Sequence, residues 1–234
     1  RPGLESINQL LSRIGDPHRR LRYVHIAGTS GKGSVASFIH AILQAAGYRT
    51  GLYTSPHLVD FSERIQVGSR AIAVEDVVRL TEWMRARAEG LSYTFFEFTT
   101  ALALLYFLEQ QAGVVVLEVG MGGRLDATNV VTPCVSVITT ISLDHTEYLG
   151  RRLRDIAFEK SGIIKPGVPA VTTATQRSVI EVIEDICRDK GSPLWRLHRD
   201  FRVRGKSRRD FSYIGPSLRM QHLEPGMAGG FQMN

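Results

Sequence analysis

The sequence predicts an α/β protein, with a P-loop-containing, doubly wound, mostly parallel sheet and a small β appendage near the C-terminus. Three observations predict it. Short apolar runs alternate with helical patterns along most of the 234 residues, which calls for parallel strands joined by right-handed helical crossovers. The first run leads straight into Gly28-Thr29-Ser30-Gly31-Lys32-Gly33-Ser34, a glycine-rich turn that opens a helix. From about Leu194 the apolar runs shorten and interleave with arginines, the texture of a small antiparallel piece.

The elements follow in order. Leu4–Ile14 reads as a short amphipathic helix, and residues 22–27 (RYVHIA) as the first buried strand. Residues 33–46 carry apolar side chains three and four apart, as a helix requires. Strands are expected at 49–53, 114–119, 134–139 and 168–172, and helices at 75–89, 95–111, 153–160 and 176–189. Phe201 and Val203 alternate with Arg202 and Arg204, Gly205-Lys206-Ser207 reads as a turn, and Phe211 and Tyr213 as the returning strand. The natural division is residues 1–193 as a P-loop domain and 194–234 as a small β subdomain leading into a linker.

Composition bounds the function. Hydrophobic residues make up 43% and charged residues 22%, as in water-soluble globular proteins. No apolar run reaches the roughly 20 residues that span a bilayer, and no signal pattern opens the chain. The cytoplasm is therefore expected, with no membrane partner. Cys134 and Cys187 are the only cysteines, too few for a disulfide framework or a metal cluster. A net charge of +6 suits anionic small molecules and is mild for a nucleic-acid binder, so no nucleic-acid partner is expected. Residues 196–209 concentrate basic side chains against the single acid Asp200; that segment reads as the solvated face of a hairpin in preference to a polyanion site.

Open α/β sheets take ligands outside the carboxyl ends of their strands, and four polar loops fall there: 28–34, Thr54–His57, Glu118–Asn129 and Ser142–Thr146. In the first, unpaired N–H groups and the helix dipole favour an anion, while glycines let the backbone approach it. Lys32 supplies a point charge for β- and γ-phosphates, and Thr29 or Ser34 a hydroxyl for phosphate or Mg²⁺. A glycine stands between Lys32 and Ser34, a departure from the commoner G-x-x-x-x-G-K-[ST] spacing, and an ordinary glycine-rich βα turn is the alternative. Glu118 lies in the otherwise apolar Val114–Val119 run, where an unpaired carboxylate costs several kcal/mol or is forced neutral. Mg²⁺ bound beside nucleotide phosphates resolves that conflict; a pair with Arg124 or Lys32 is the alternative. Asp144 and His145 stand where they could serve the same ion or a second one, and His57 could cap a helix or hold its loop. In Thr94-Phe95-Phe96-Glu97-Phe98, aromatic rings could stack a flat heterocycle while Glu97 accepts from ring N–H groups, with core packing the plainer use. Lys160, read from its surroundings alone, ends a helix that Gly162 stops.

Taken together, GTSGKGS (28–34), TSPHL (54–58), FSERI (61–65), TFFEF (94–98), LEVGMGGRLDATN (117–129), SLDHTEYLG (142–150) and EKSGIIKPG (159–167) resemble the folylpolyglutamate synthase and dihydrofolate synthase family, of the Mur ligase superfamily. The resemblance runs from about Leu4 to Thr172 and weakens after Leu194. It implies that Thr29, Ser30, Gly31, Lys32, Gly33 and Ser34 hold ATP phosphates, with Ser30 where the family more often has Asn. It implies Mg²⁺ at Ser55, Glu118 and His145, and catalytic roles for Lys32, Lys160 and His145. Lys160 matches a lysine the family carries N-carboxylated. The pterin-receiving region of the family matches Thr94, Phe95, Phe96, Glu97, Leu125, Asp126 and Ala127, together with the N-terminal helix.

The implied reaction is ATP-dependent amide formation on dihydropteroate, reduced folate or both. A substrate carboxylate attacks the γ-phosphate, an acyl phosphate forms, and the amino group of L-glutamate displaces phosphate. Catalysis of that kind is positioning and charge neutralisation, without a protein nucleophile. The family has a further C-terminal α/β domain, and the closing Gly-Phe-Gln-Met-Asn resembles the start of its next helix, so a fragment or short form is expected, as a monomer. Two other readings stay open. A ligase for a nucleotide-linked cell-wall precursor needs an N-terminal uridine-nucleotide domain, and about 20 residues precede the first strand. A nucleotide-binding module without ligase activity is the second; a guanine-reading N-K-x-D is absent from the sequence.

Overall fold

The computed structural model describes residues 3–207 and 210–224. The tail Pro225–Asn234, with its expected linker helix, and Arg208 and Arg209 of the basic segment lie outside the described residues.

Strand β1 (Tyr23–Ala27) is the centre of the molecule, fully buried along its length. It pairs in parallel with β5 (Val114–Glu118) on one side and β6 (Val135–Ile138) on the other. Beyond β5 lies β2 (Thr50–Tyr53), parallel again, and beyond β6 come β7 (Ala170–Thr172) and β8 (Leu194–Arg196), all parallel. Because all these strands run one way, their carboxyl ends share one edge. The sheet is closed on the β2 side by an antiparallel hairpin of β3 (Ile65–Val67) and β4 (Arg70–Ala71), giving the order β4-β3-β2-β5-β1-β6-β7-β8.

Three points differ from the sequence reading. The hairpin at 65–71 was not expected. Leu194–Arg196 belong to the large sheet as its edge strand, and the separate three-stranded sheet begins at Arg202, with β9 (Arg202–Ser207), β10 (Asp210–Ile214) and β11 (Arg219–Leu223). Gly205, Lys206 and Ser207 lie inside β9, where Gly205 and Ser207 pair with β10 and Lys206 falls at an irregularity in the register, so they do not form the turn.

Helices cover both faces, as the continuous apolar strands require. Val24, Ile26, Leu52 and Val116 pack beneath α2 (Lys32–Ala45). The alternate side chains Tyr23, Tyr53, Val115 and Leu117 face α1 (Glu5–Arg13), α3 (Val74–Arg87) and α4 (Phe95–Glu109). Ala27, Ile138 and Ala170 face α6 (Leu153–Ser161) and α7 (Arg177–Asp189), with the single turn α5 (Thr146–Leu149) before them. Helix α4 is apolar nearly all round and buries ten residues, which places it as a core helix. Among the described residues no helix is long and apolar enough to cross a membrane.

Candidate active site

The turn after β1 is shaped by its glycines. Gly28 has φ +150°, and a Cβ there would stand 1.8 Å from Thr139 Oγ1, so only glycine fits against the loop that follows β6. That loop clamps the turn: Thr29 N donates to Thr140 O at 2.7 Å, Ser142 N to Thr29 Oγ1 at 3.1 Å, and Thr139 Oγ1 to Ser30 O at 2.8 Å. Helix α2 starts at Lys32 after Gly31 in the left-handed region, with no side-chain cap. Its first N–H groups therefore keep no internal partner. Lys32 Nζ folds back toward Thr29 O at 3.4 Å, and the Ser34 hydroxyl stands in the first turn of the helix.

Glu118 ends β5, opposite Ile26 of β1. Its side chain is 5% exposed, and Oε2 accepts from Ser55 N at 3.2 Å. A Cβ on Gly33 would lie 3.6 Å from that oxygen, so the helix start closes over the carboxylate. Burial pushes its acidity weaker than an ordinary glutamate, while the Ser55 N–H and the Lys32 charge pull the other way. Arg124, one alternative partner, is engaged elsewhere, its guanidinium 2.8 Å from Glu159 Oε1. Lys32 acts on Glu118 through its charge, with no salt bridge between them.

Lys160 is 2% exposed and its Nζ donates to Gly28 O at 2.9 Å. Burial first, then the neighbouring Lys32 charge, lowers its pKa from 10.5 to about 8, so that about a tenth of the amine is neutral at about pH 7, far more than in an ordinary lysine. Its helix end is thus held against the phosphate turn. His145 follows β6 with φ 45°; its side chain is 52% exposed and Nε2 stands 3.6 Å from Asp144 Oδ1. The structure brings Lys32, Gly33, Ser55, Glu118 and Lys160 into one cluster, while His145 makes no hydrogen bond to Ser55 or Glu118. Among the described residues no group of three or more His, Cys, Asp or Glu could hold a metal ion by itself.

Next to this cluster a cleft of about 1040 Å³ opens between α1, the α4 start and the loop after β5, with Ser55 on its wall. Thr94, Phe96, Glu97, Leu125, Asp126 and Ala127 line it. Phe95 does not: it is 65% exposed, with its ring 6.3 Å from Phe61 and 5.8 Å from the Arg64 guanidinium. Glu97 differs from expectation in its use. Thr94 and Glu97 form a capping box at the start of α4, with Thr94 N donating to Oε2 at 2.7 Å and the Ser6 hydroxyl donating to Oε1. Burial raises its pKa, but the hydrogen bonds from Ser6 and Thr94 together outweigh burial and hold it below the ordinary value. A T-x-x-E before an apolar run is a capping signal, and it was readable in Thr94–Glu97.

Asp126 also serves the scaffold. It is buried, accepts from Met121 N and Thr128 N at 2.9 Å, and accepts from the Thr128 hydroxyl at 2.5 Å. Thr128 Oγ1 in turn takes Nε2–H of His25, on β1, at 2.9 Å. Burial, with Lys165 nearby, lowers His25 to about 3, so it is neutral and ties the cleft loop to the central strand. Sequence reasoning missed Arg64, 8% exposed on the cleft wall, whose Nε donates to His57 Nδ1 at 2.8 Å. That bond shows His57 holding its loop.

Residues 26–188 match the Mur ligase middle domain. The chain belongs to the Mur ligase family. Over 205 residues it is 43% identical to the dihydrofolate synthase/folylpolyglutamate synthase of Bacillus subtilis (strain 168), covering 85% of this chain and 48% of that protein. Folylpolyglutamate synthase of Lacticaseibacillus casei is 40% identical over 235 residues, covering 95% of this chain and 55% of the relative. Among solved structures, folylpolyglutamate synthase from Thermotoga maritima superposes with a TM-score of 0.92 at 44% identity, over all of this chain and 56% of its own. An FPGS–AMPPCP–folate complex superposes with a TM-score of 0.94 at 39% identity, over 97% of this chain and 58% of its own. This Mur ligase chain therefore spans about half the length of the curated relatives it matches.

Proposed function

We propose that the chain is the nucleotide-binding part of an ATP- and Mg²⁺-dependent ligase that joins L-glutamate to dihydropteroate, to reduced folates, or to both. The observation that carries the reading is Glu118: a nearly buried carboxylate between the Ser55 N–H and Gly33, beside the phosphate turn and Lys32. Its relatives' names, and the AMPPCP and folate bound in a structure of 39% identity, support the same chemistry.

The residues fit the ion. Glu118 and the Ser55 hydroxyl offer hard oxygen donors, and with so few protein ligands the remaining positions fall to phosphate oxygens and water, which is the habit of Mg²⁺. When bound, the ion neutralises phosphate charge and orients the γ-phosphate. The chain's own part is positional. The free N–H groups at the start of α2 and the Lys32 ammonium stabilise negative charge on the transferring phosphoryl group. The cleft beside Ser55 receives the pterin and so aligns the carboxylate at the substrate's other end for attack, with Phe96 and Leu125 as apolar walls and Arg64 as a cation. Lys160, its pKa lowered toward neutrality and its Nζ held at Gly28 O, offers more of the free amine that N-carboxylation by CO₂ requires than an ordinary lysine does. In that form it becomes an anion facing Lys32. His145, exposed beside Asp144 at 3.6 Å, is the third residue that the resemblance assigns to the ion, and at the rim it orients phosphate or water. We place the protein in the cytoplasm as a monomer.

Phosphate release by the whole polypeptide containing this sequence, with ATP, Mg²⁺, glutamate and dihydropteroate or tetrahydrofolate, tests the reading. Release that depends on pteroate or folate and on glutamate is expected. ATP hydrolysis independent of both would favour a nucleotide-binding module instead.

A further inference from the structure

The arginine-rich segment does not present a plain solvated face. In the small sheet Ile214 is paired on one side with Arg202 and on the other with Arg219, so the two arginines flank it on one face. Arg204, two residues along β9, shares that face. With Arg199 and Asp200 these side chains line a pocket of about 340 Å³. Asp200 is not free to neutralise them: its carboxylate accepts from Arg196 N at 2.7 Å and from Arg199 Nε at 2.9 Å. Arg202, Arg204 and Arg219 form no ion pair among the described residues, and the residues outside that set carry no Asp or Glu side chain. Like charges gathered around one concavity repel, and the repulsion is relieved by a multivalent anion. Planar guanidinium forks suit carboxylates and phosphates.

The position of the pocket favours a carboxylate source. Arg199 and Asp200 follow the carboxyl end of β8, the sheet edge that also carries the phosphate turn. β8 is three strands from β1, about 14 Å at roughly 4.8 Å per strand. An extended chain advances roughly 3.3–3.6 Å per residue, and γ-linked residues advance further, so at most about four residues reach from the phosphate turn to β8, and a longer tail can loop out to the pocket and return its terminal carboxylate to the γ-phosphate. We propose that this pocket binds the γ-glutamyl tail of the ligase's elongating substrate, through the free α-carboxylates that each added glutamate carries. The proposal rests on the ligase reading above, and it assigns the basic pocket as a tail subsite apart from the pterin cleft.

The test uses tetra-γ-glutamate without a pterin, and tripolyphosphate as the phosphate counterpart, by calorimetry on the whole chain. Wild-type protein is expected to bind tetra-γ-glutamate, more tightly than glutamate alone and more weakly as salt rises. The triple variant Arg202→Gln, Arg204→Gln, Arg219→Gln is expected to lose at least tenfold in affinity. If that variant does not fold, the single exposed change Arg219→Gln is expected to lose about threefold, by weakening one charged contact. Unchanged binding in either variant, or binding of tripolyphosphate without tetra-γ-glutamate, overturns the assignment. Tail binding without any glutamate incorporation would refute the ligase and leave the pocket. Incorporation onto a monoglutamyl folate, with tail binding unaltered by the variants, would refute the pocket alone.

Discussion

Replacing Lys160 with methionine should raise stability near neutral pH while abolishing activity. The ammonium is 2% exposed and its pKa falls from 10.5 to about 8 through burial and Lys32. At 1.36 kcal/mol per pH unit, burying the charged form costs the native state about 3 kcal/mol. The sign follows from proton counting. Below about pH 8 both folded and unfolded chains hold the proton, so the cost is present in full; between about 8 and 10.5 only the unfolded chain holds it, and stability climbs with pH. Lys160→Met removes the cost but strands the Gly28 carbonyl that Nζ serves at 2.9 Å, a loss of about 1–3 kcal/mol. The variant should therefore be about 1 kcal/mol more stable at about pH 7. Its advantage should shrink by about 2 kcal/mol by about pH 9.5, which reverses the order. Urea denaturation of both proteins at the two pH values, in CO₂-free buffer, reads this directly. A difference that does not change with pH would refute the account of Lys160 as a buried, desolvated amine.

Other expectations follow from the same geometry. Gly28→Ala should lower the unfolding free energy, measured by urea denaturation, by at least about 2 kcal/mol, since φ +150° and the Thr139 hydroxyl both oppose a Cβ. Lys32→Ala should melt like the wild type, because Nζ makes only the 3.4 Å contact with Thr29 O, while calorimetric affinity for an ATP analogue drops at least tenfold, about 1.4 kcal/mol. Glu97→Ala should lower stability by about 1–2 kcal/mol through loss of the capping box; a loss of pterin affinity with unchanged stability would show instead that Glu97 acts on the ligand.

The parallel core was legible because β1 and β5 are buried almost throughout and read as apolar runs bounded by turns, with the shorter, mixed β2 and β6 following at the spacing that helical crossovers require. The hairpin of β3 and β4 was not: Ile65-Gln66-Val67 is three residues long and alternates, with no run to mark it. Leu194-Trp195-Arg196 escaped for the opposite reason, since an edge strand tolerates a charge and so imitates the appendage that follows. At the site, Glu118 announced itself as a carboxylate in an oily strand. The threonine clamp from Thr139 and Thr140 on Ser30 did not, because it joins residues more than a hundred apart in sequence. The burial of Lys160 is equally non-local, arising where its helix end meets Gly28, so its local sequence suggested only a helix terminus and the family resemblance alone pointed further. Glu97 was visible as a cleft residue, but its carboxylate is committed to the helix it starts.

Magnesium dependence of nucleotide binding in wild type and Glu118→Gln tests the central claim most directly. Calorimetry with a non-hydrolysable ATP analogue should show Mg²⁺ strengthening binding at least tenfold in the wild type and scarcely at all in the variant, whose ligand-free melting temperature does not fall. Equal Mg²⁺-dependent binding by both proteins would contradict it.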